Sequence, residues 1–121
     1  MVHAAHALAV PAMPPISVAS SDGLRLAASQ VAGHGPAVVL AHGFGQTRQA
    51  WRGTQQRLGQ AGRASLAWDA RGHGESGRNP ATVAYDGLQF VQDVHAVASA
   101  AGDRPVLVGA SMGGLTGLIA Q

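Results

Sequence analysis

The chain predicts an α/β fold: an antiparallel hairpin followed by a mostly parallel sheet with helices on both faces. Three observations carry that expectation. Short runs at 37–41, 64–68 and 105–108 read as strands buried on both faces, the first, Ala37-Val38-Val39-Leu40-Ala41, being apolar without alternation. Stretches of helical periodicity separate these runs, and a glycine-rich loop follows the first two, with a Gly-rich turn after the third. Alternating strands and amphipathic helices imply right-handed crossovers and therefore parallel strands covered by helices.

The opening, "MVHAAHALAVPAMPP", has no Lys or Arg ahead of its apolar run, and Pro11, Pro14 and Pro15 break that run. A secretory signal needs a basic start and a longer unbroken core, so residues 1–15 are expected to be a flexible leader and 16–121 a single domain. Runs at 16–19 and 24–28 flank Ser20-Ser21-Asp22-Gly23. The Asp-Gly pair supplies the positive φ of a tight turn, which makes these runs a hairpin. Gly33-His34-Gly35-Pro36 then breaks the pattern before the central strand at 37–41.

Thr47 is placed to cap a helix running to about Gln60, with Ala50, Trp51, Thr54, Leu58 and Ala61 near one face and Arg48, Arg52, Gln56 and Arg57 mostly elsewhere. Gly62 ends it. After the strand at 64–68 and the loop 69–77, a second helix starts near Asp86. Leu88, Val91, His95 and Ala98, with Phe90, Val94, Val97 and Ala101, form its broad inner face, and Gly102 closes it. The strand at 105–108 leads into a last helix from Met112, with Leu115, Leu118 and Ile119 expected on its inner side.

A chain of 121 residues fits one domain and can bury about two-thirds of its surface. The formal charge is +2, and all eight basic residues are arginines, scattered singly or in loose pairs. That scatter lacks the basic stripe of a nucleic-acid binder. Cysteine is absent, which excludes disulfides, a thiolate nucleophile and cysteine-bound zinc. No window approaches the roughly 18 consecutive apolar residues of a membrane span. The expectation is a soluble, cytoplasmic protein without nucleic-acid or membrane partners and without a cofactor or metal.

In an open α/β sheet, function collects at the carboxyl ends of the strands. Three loops lie there: "LAHGFGQT" at 40–47, "DARGHGESG" at 69–77 and "GASMGG" at 109–114. The last fits G-x-S-x-G through Gly109, Ser111 and Gly113. A serine on a sharp strand-to-helix turn needs tiny neighbours so that strand and helix can meet. Gly109, Ala110, Gly113 and Gly114 supply them, and the flanking "PVLV" and "LTGLIA" give the strand–turn–helix context. The five-residue pattern alone is weak; a serine capping a helix would also match.

Together the three loops resemble the α/β-hydrolase superfamily, over essentially the whole chain after the leader. The resemblance implies the N-terminal part of an α/β-hydrolase fold, with Ser111 as nucleophile. The His42-Gly43-Phe44-Gly45 loop would give the Phe44 N–H as one oxyanion donor and Met112 the other, with His42, Gly43, Gly109 and Gly113 shaping the loop and elbow. Asp69, Arg71 and Ser76 would tie down the second loop. His73 and Glu75 could instead be read as acid–base groups, but the order of catalytic parts in this fold assigns those roles elsewhere. His3, His6, His34 and His95 have no partner pattern suggesting a metal.

Dehalogenase-like and epoxide-hydrolase-like members of the superfamily use Asp at the elbow, so Ser111 favours ester, thioester or related acyl chemistry on a small-molecule acyl substrate. "HGFGQTRQAW" with "GASMGG" is also similar to bacterial members labelled hydrolases or cofactor-free haloperoxidases, although Ala110 stands where many carry His. A perhydrolase or haloperoxidase-like activity is therefore one alternative. A non-catalytic hydrolase-like binding protein is another.

In this superfamily the triad runs Ser, then Asp or Glu, then His, and no acid or histidine follows Ser111 in these 121 residues. The expectation is an incomplete chain, truncated after the elbow, inactive by itself and unstable because its last strand and helix lack cover.

Overall fold

The computed structural model describes residues 13–120. The leader expected through residue 15 lies, up to residue 12, outside the described residues, and the first strand already includes Pro15. Strands β1 (Pro15–Ala19) and β2 (Arg25–Val31) pair antiparallel around the Asp22-Gly23 turn, where Gly23 takes φ 89°. Next come β3 (His34–Ala41), a 3₁₀ turn (Arg48–Trp51), α1 (Arg52–Gln60) and β4 (Arg63–Trp68). Helix α2 (Gly87–Ala101), β5 (Val106–Gly109) and α3 (Met112–Ala120) complete the order.

The five strands form one mixed sheet in the order β1-β2-β4-β3-β5. β2 runs antiparallel to β4, whereas β3 is parallel to both β4 and β5. The crossovers place the ends of β3, β4 and β5 along one rim, with Ala41 opposite both Trp68 and Gly109. All three strand-end loops therefore leave from the same edge.

Strand alternation divides the sheet into two faces. Leu26, Ala28, Val39, Ala41, Leu66 and Trp68 face α2 and α3 and pack with Val94, Val97 and Ala120 in one apolar core. Burying each large aliphatic side chain stabilises the fold by about 1.5–3 kcal/mol before entropy is counted. On the opposite face, the side chain of Gln55 on α1 donates to the Ser29 carbonyl (3.0 Å) and to Ser65 Oγ (3.2 Å), so α1 covers that side.

Several side chains differ from the sequence expectation. The α1 region buries Arg48 and Gln55, while Ala50, Thr54 and Ala61 are exposed. The cause is twofold: the segment opens as a 3₁₀ turn, which shifts the helical phase, and a buried Asp69 carboxylate draws Arg48 inward. In α2, Leu88 and His95 are exposed, and the inner face is Asp93, Val94 and Val97. Leu115, Leu118 and Ile119 are exposed, and the buried residues of α3 are Gly113 and Ala120. Val106 and Val108 are also largely exposed, β5 being paired on one side only. His34-Gly35-Pro36 belongs to β3 rather than breaking it, with an irregular register before Val38.

One buried cation ties the layers together. Arg71, 1% exposed, donates from Nε and Nη2 to the two oxygens of Asp93 on α2, each at 2.7 Å. Its Nη1 reaches Asp22 in the hairpin turn and Asn79, both at 2.9 Å. Asp93 also accepts from the Ser20 hydroxyl. These partners hold the guanidinium above its usual value, the Asp93 hydrogen bonds first among them and burial opposing. Capping by Asp86, with Gln89 reciprocating, fixes where α2 begins. No helix among the described residues is long and apolar enough to cross a membrane.

Breaking the buried pair from one side strands a charge in the core. Asp93→Ala is expected to lower the unfolding free energy of the protein by about 3–5 kcal/mol. Urea denaturation checks this, and a loss below about 1 kcal/mol would show that Asp22 and Asn79 suffice.

Candidate active site

Between the end of β5 at Gly109 and the start of α3 at Met112, only Ala110 and Ser111 make the turn. Ser111 takes φ 54°, a left-handed conformation that costs an L-residue about 1–2 kcal/mol. The one other non-glycine residue with positive φ among the described residues is Arg104, in the turn before β5. Backbone contacts on either side hold Ser111 in this state. A Cβ at Gly109 would overlap the backbone of Gly113 and Gly114, and one at Gly113 would overlap the Ala41 carbonyl. Ala110 N–H donates to the Ala41 carbonyl at 3.1 Å, stitching the turn to β3. Ser111 is exposed at the rim. Its carbonyl accepts from Leu115 N–H (3.1 Å), so Met112 lies in the first helical turn, where N–H groups have no intrahelical acceptor.

The loop after β3 passes directly beside the serine. A Cβ at Gly43 would sit 3.4 Å from Ser111 Cβ, so a larger residue there would press on the turn. Within the loop, Gly43 N–H donates to Gln46 Oε1 (3.2 Å), Gln46 N–H donates back to the Gly43 carbonyl (3.1 Å), and Gly45 N–H donates to His73 Nε2 (3.1 Å). Phe44 N–H has no acceptor among the described residues. Its own peptide plane is nevertheless fixed, because the Gly43 carbonyl on that plane accepts both Gln46 N–H and His42 Nδ1–H, the latter at 2.7 Å. A carbonyl engaged twice polarises the opposite N–H of the same amide.

His42 is 2% exposed and spans the two loops. Ala70 N–H donates to its Nε2 at 2.9 Å, and an amide can only donate, so the ring proton is on Nδ1, which faces the Gly43 carbonyl. Burial holds the imidazole below its ordinary pKa, and the neighbouring His73 pushes it further the same way. In the second loop, Asp69 receives the Arg48 N–H, the Arg48 guanidinium and Glu75 N–H (2.9 Å). The Ser76 hydroxyl donates to the Asp69 carbonyl and accepts from Ala27 N–H at 2.8 Å.

A cleft of about 640 Å³ opens over these loops, lined by Phe44, Tyr85, Phe90 and Met112 with His73 and Arg78 among its polar members. Phe44 is 76% exposed and stands edge-on to His73, ring centroids 5.4 Å apart. Tyr85 closes over Gly72, where a Cβ would meet its hydroxyl at 2.8 Å. Ser111, Gly43, Gly109 and Gly113 are thus brought together at the elbow, with Met112 opening the adjoining helix and Phe44 sharing its cleft. Sequence reasoning missed Gln46, Tyr85 and the contact of His73 with Gly45. The tripeptide Gly45-Gln46-Thr47 carries no pattern that marks a side-chain-to-backbone brace, the Gly45–His73 contact joins two loops 28 residues apart, and Tyr85 meets Gly72 from 13 residues further along the connection between β4 and α2. Among the described residues, no cluster of three or more His, Cys, Asp or Glu is arranged to hold a metal ion.

A profile of the Alpha/beta hydrolase family matches residues 38–121. Epoxide hydrolase A of Mycobacterium tuberculosis is 35% identical over 102 residues, covering 83% of this chain and 32% of that protein. A monoacylglycerol lipase of Mycolicibacterium smegmatis is 42% identical over 82 residues, 64% of this chain and 29% of the lipase. The crystal structure of an epoxide hydrolase from Vigna radiata superposes with a TM-score of 0.79 at 26% identity, covering 89% of this chain and 33% of that one. The chain spans about a third of the length of these relatives.

Because His42 binds a proton less readily when folded, its contribution to stability is complete above its unfolded value of about 6.5 and is lost as the pH falls toward the folded one. Urea midpoints are expected to decline as the pH drops from 7 to 5, and the decline to be shallower in His42→Leu. Parallel profiles for the two proteins would contradict this. Gly113→Ala is expected to cost about 1–3 kcal/mol in the same assay, since the contacted atoms are backbone and cannot yield.

Proposed function

The chain belongs to the alpha/beta hydrolase family, and on that premise we propose that it carries the nucleophile and oxyanion site of a serine hydrolase acting on ester or related acyl bonds. The observation that carries this reading is the exposed Ser111 at φ 54°, strained on a turn whose flanking Gly109 and Gly113 have no room for a side chain. A binding protein gains nothing from a strained serine. A nucleophile does, because the turn lifts Oγ clear of the sheet and backs it with free helix N–H groups.

In the proposed reaction, Ser111 Oγ attacks the acyl carbon and the carbonyl electron pair moves onto oxygen. The Phe44 and Met112 N–H groups receive that oxyanion. Collapse expels the alcohol, and water then hydrolyses the acyl-serine by the same path. Support for Phe44 comes from the engaged N–H groups on either side of it, Gly43 and Gly45, which leave its own N–H unspent on a fixed amide plane. The base that takes the Ser111 proton and the carboxylate that orients the base are proposed to come from residues outside these 121. Without them the serine is a weak nucleophile, and this segment alone is proposed to be inactive.

The relatives' names include both epoxide hydrolase and monoacylglycerol lipase, and the nucleophile's chemistry chooses between them. A carboxylate that opens an epoxide becomes an ester, which water can cleave at its carbonyl. A serine doing the same would become an alkyl ether on Oγ, with no carbonyl to attack, and turnover would stop. Acyl transfer is therefore the reaction Ser111 can complete. The apolar and aromatic side chains of the adjoining cleft suit an apolar portion of a small-molecule substrate.

Full-length gene product is expected to hydrolyse a short p-nitrophenyl ester and to lose about 10⁴-fold or more of kcat in Ser111→Ala. Ester turnover that survives this substitution, or turnover of an epoxide but no ester, would overturn the proposal.

A further inference from the structure

We propose that His73 is a positioning residue for this reaction: its Nε2 lone pair, by accepting the Gly45 N–H, holds the loop segment that carries the Phe44 oxyanion donor. The inference rests on the serine hydrolase reading and adds to it a group that never touches substrate.

The geometry is a reciprocal pair of imidazole bridges. His42, in the loop after β3, accepts Ala70 N–H from the loop after β4 at 2.9 Å and lies 2.7 Å from its own loop's Gly43 carbonyl. His73, in the loop after β4, accepts Gly45 N–H from the loop after β3 at 3.1 Å and lies 3.1 Å from its own loop's Arg71 carbonyl. Each amide can only donate and each carbonyl can only accept, so both rings are Nδ1–H tautomers with Nε2 unprotonated. The rings lie 5.1 Å apart, centroid to centroid. The Phe44 amide sits between the two braces: His42 fixes the carbonyl of its own peptide plane, and His73 fixes the N–H of the next. Gly45, at φ 82°, is otherwise free to rotate that second plane.

The test compares His73→Leu, which removes the acceptor, with His73→Gln, whose Oε1 can stand where Nε2 stood. In full-length protein, H73L is expected to lower kcat for a p-nitrophenyl ester about tenfold with KM within about twofold. H73Q is expected to restore most of that loss, since its amide oxygen can accept the Gly45 N–H as Nε2 does. Nitrogen-15 histidine NMR of the unmodified protein at pH 8 is expected to find the His73 proton on Nδ1. A kcat for H73L within twofold of the unmodified enzyme, or a His73 proton on Nε2, would overturn the positioning role alone. If the unmodified enzyme turns over no ester, the serine hydrolase reading fails and the role of His73 falls with it.

Discussion

The contact on which the site depends is the one between Gly113 and the backbone of Ala41. Where a helix leaves a strand after two residues, its first turn must pass over the neighbouring strand, and here no Cβ fits between them. That closeness draws the start of α3 against the end of β3, so the Ala110 amide can reach the Ala41 carbonyl. Ser111 is left with a left-handed backbone and an exposed side chain. The same approach carries the loop after β3 alongside the serine, because that loop begins one residue after Ala41. Ser111 and the loop that carries Phe44 are thus neighbours through a single packing constraint between two strand ends.

A constraint of this kind works only if the loops cannot drift, and buried charge supplies the rigidity. Asp69 and Arg48 fasten the loop after β4 to the segment before α1, while Arg71, two residues on, fastens it to Asp93, Asp22 and Asn79. Buried ion pairs contribute little net stability once their desolvation is counted. Their strength here is directional: each carboxylate oxygen and guanidinium nitrogen named has a specified partner, so alternative loop arrangements would strand a charge. The two histidines extend that lock from the second loop to the first without adding charge. Neutral imidazoles serve because each must accept from one backbone amide and face one backbone carbonyl.

How much of this the sequence disclosed follows from what kind of signal each feature leaves. The hairpin was legible in Asp22-Gly23, and the three parallel strands in their apolar runs, because turn chemistry and an apolar run are local, although the expected burial on both faces fails in β5, where Val106 and Val108 are exposed. The elbow was legible for a similar reason: Gly109 and Gly113 flank Ser111 at fixed spacing. Helix faces were less so. Arg48 and Gln55 turned inward against their polarity, since Asp69 and Ser65 waited there with acceptors, and those partners are 21 and 10 residues away. Leu115, Leu118 and Ile119 were expected inside by hydrophobicity alone, but the inner side of α3 is set by close approach, which only glycine permits at 113. The Gly45–His73 bridge crosses between loops and left no trace in the pattern.

The central claim is that Ser111 attacks an acyl carbon while the Phe44 and Met112 amides receive the oxyanion. A crystal structure of the full-length gene product after reaction with a small alkyl phosphonate ester tests it most directly, because the tetrahedral phosphorus mimics the intermediate. The account predicts a covalent bond from Ser111 Oγ to phosphorus, with the phosphonyl oxygen about 2.7–3.1 Å from both amide nitrogens. An adduct on another residue, or a phosphonyl oxygen turned to solvent with both amides unengaged, would contradict it.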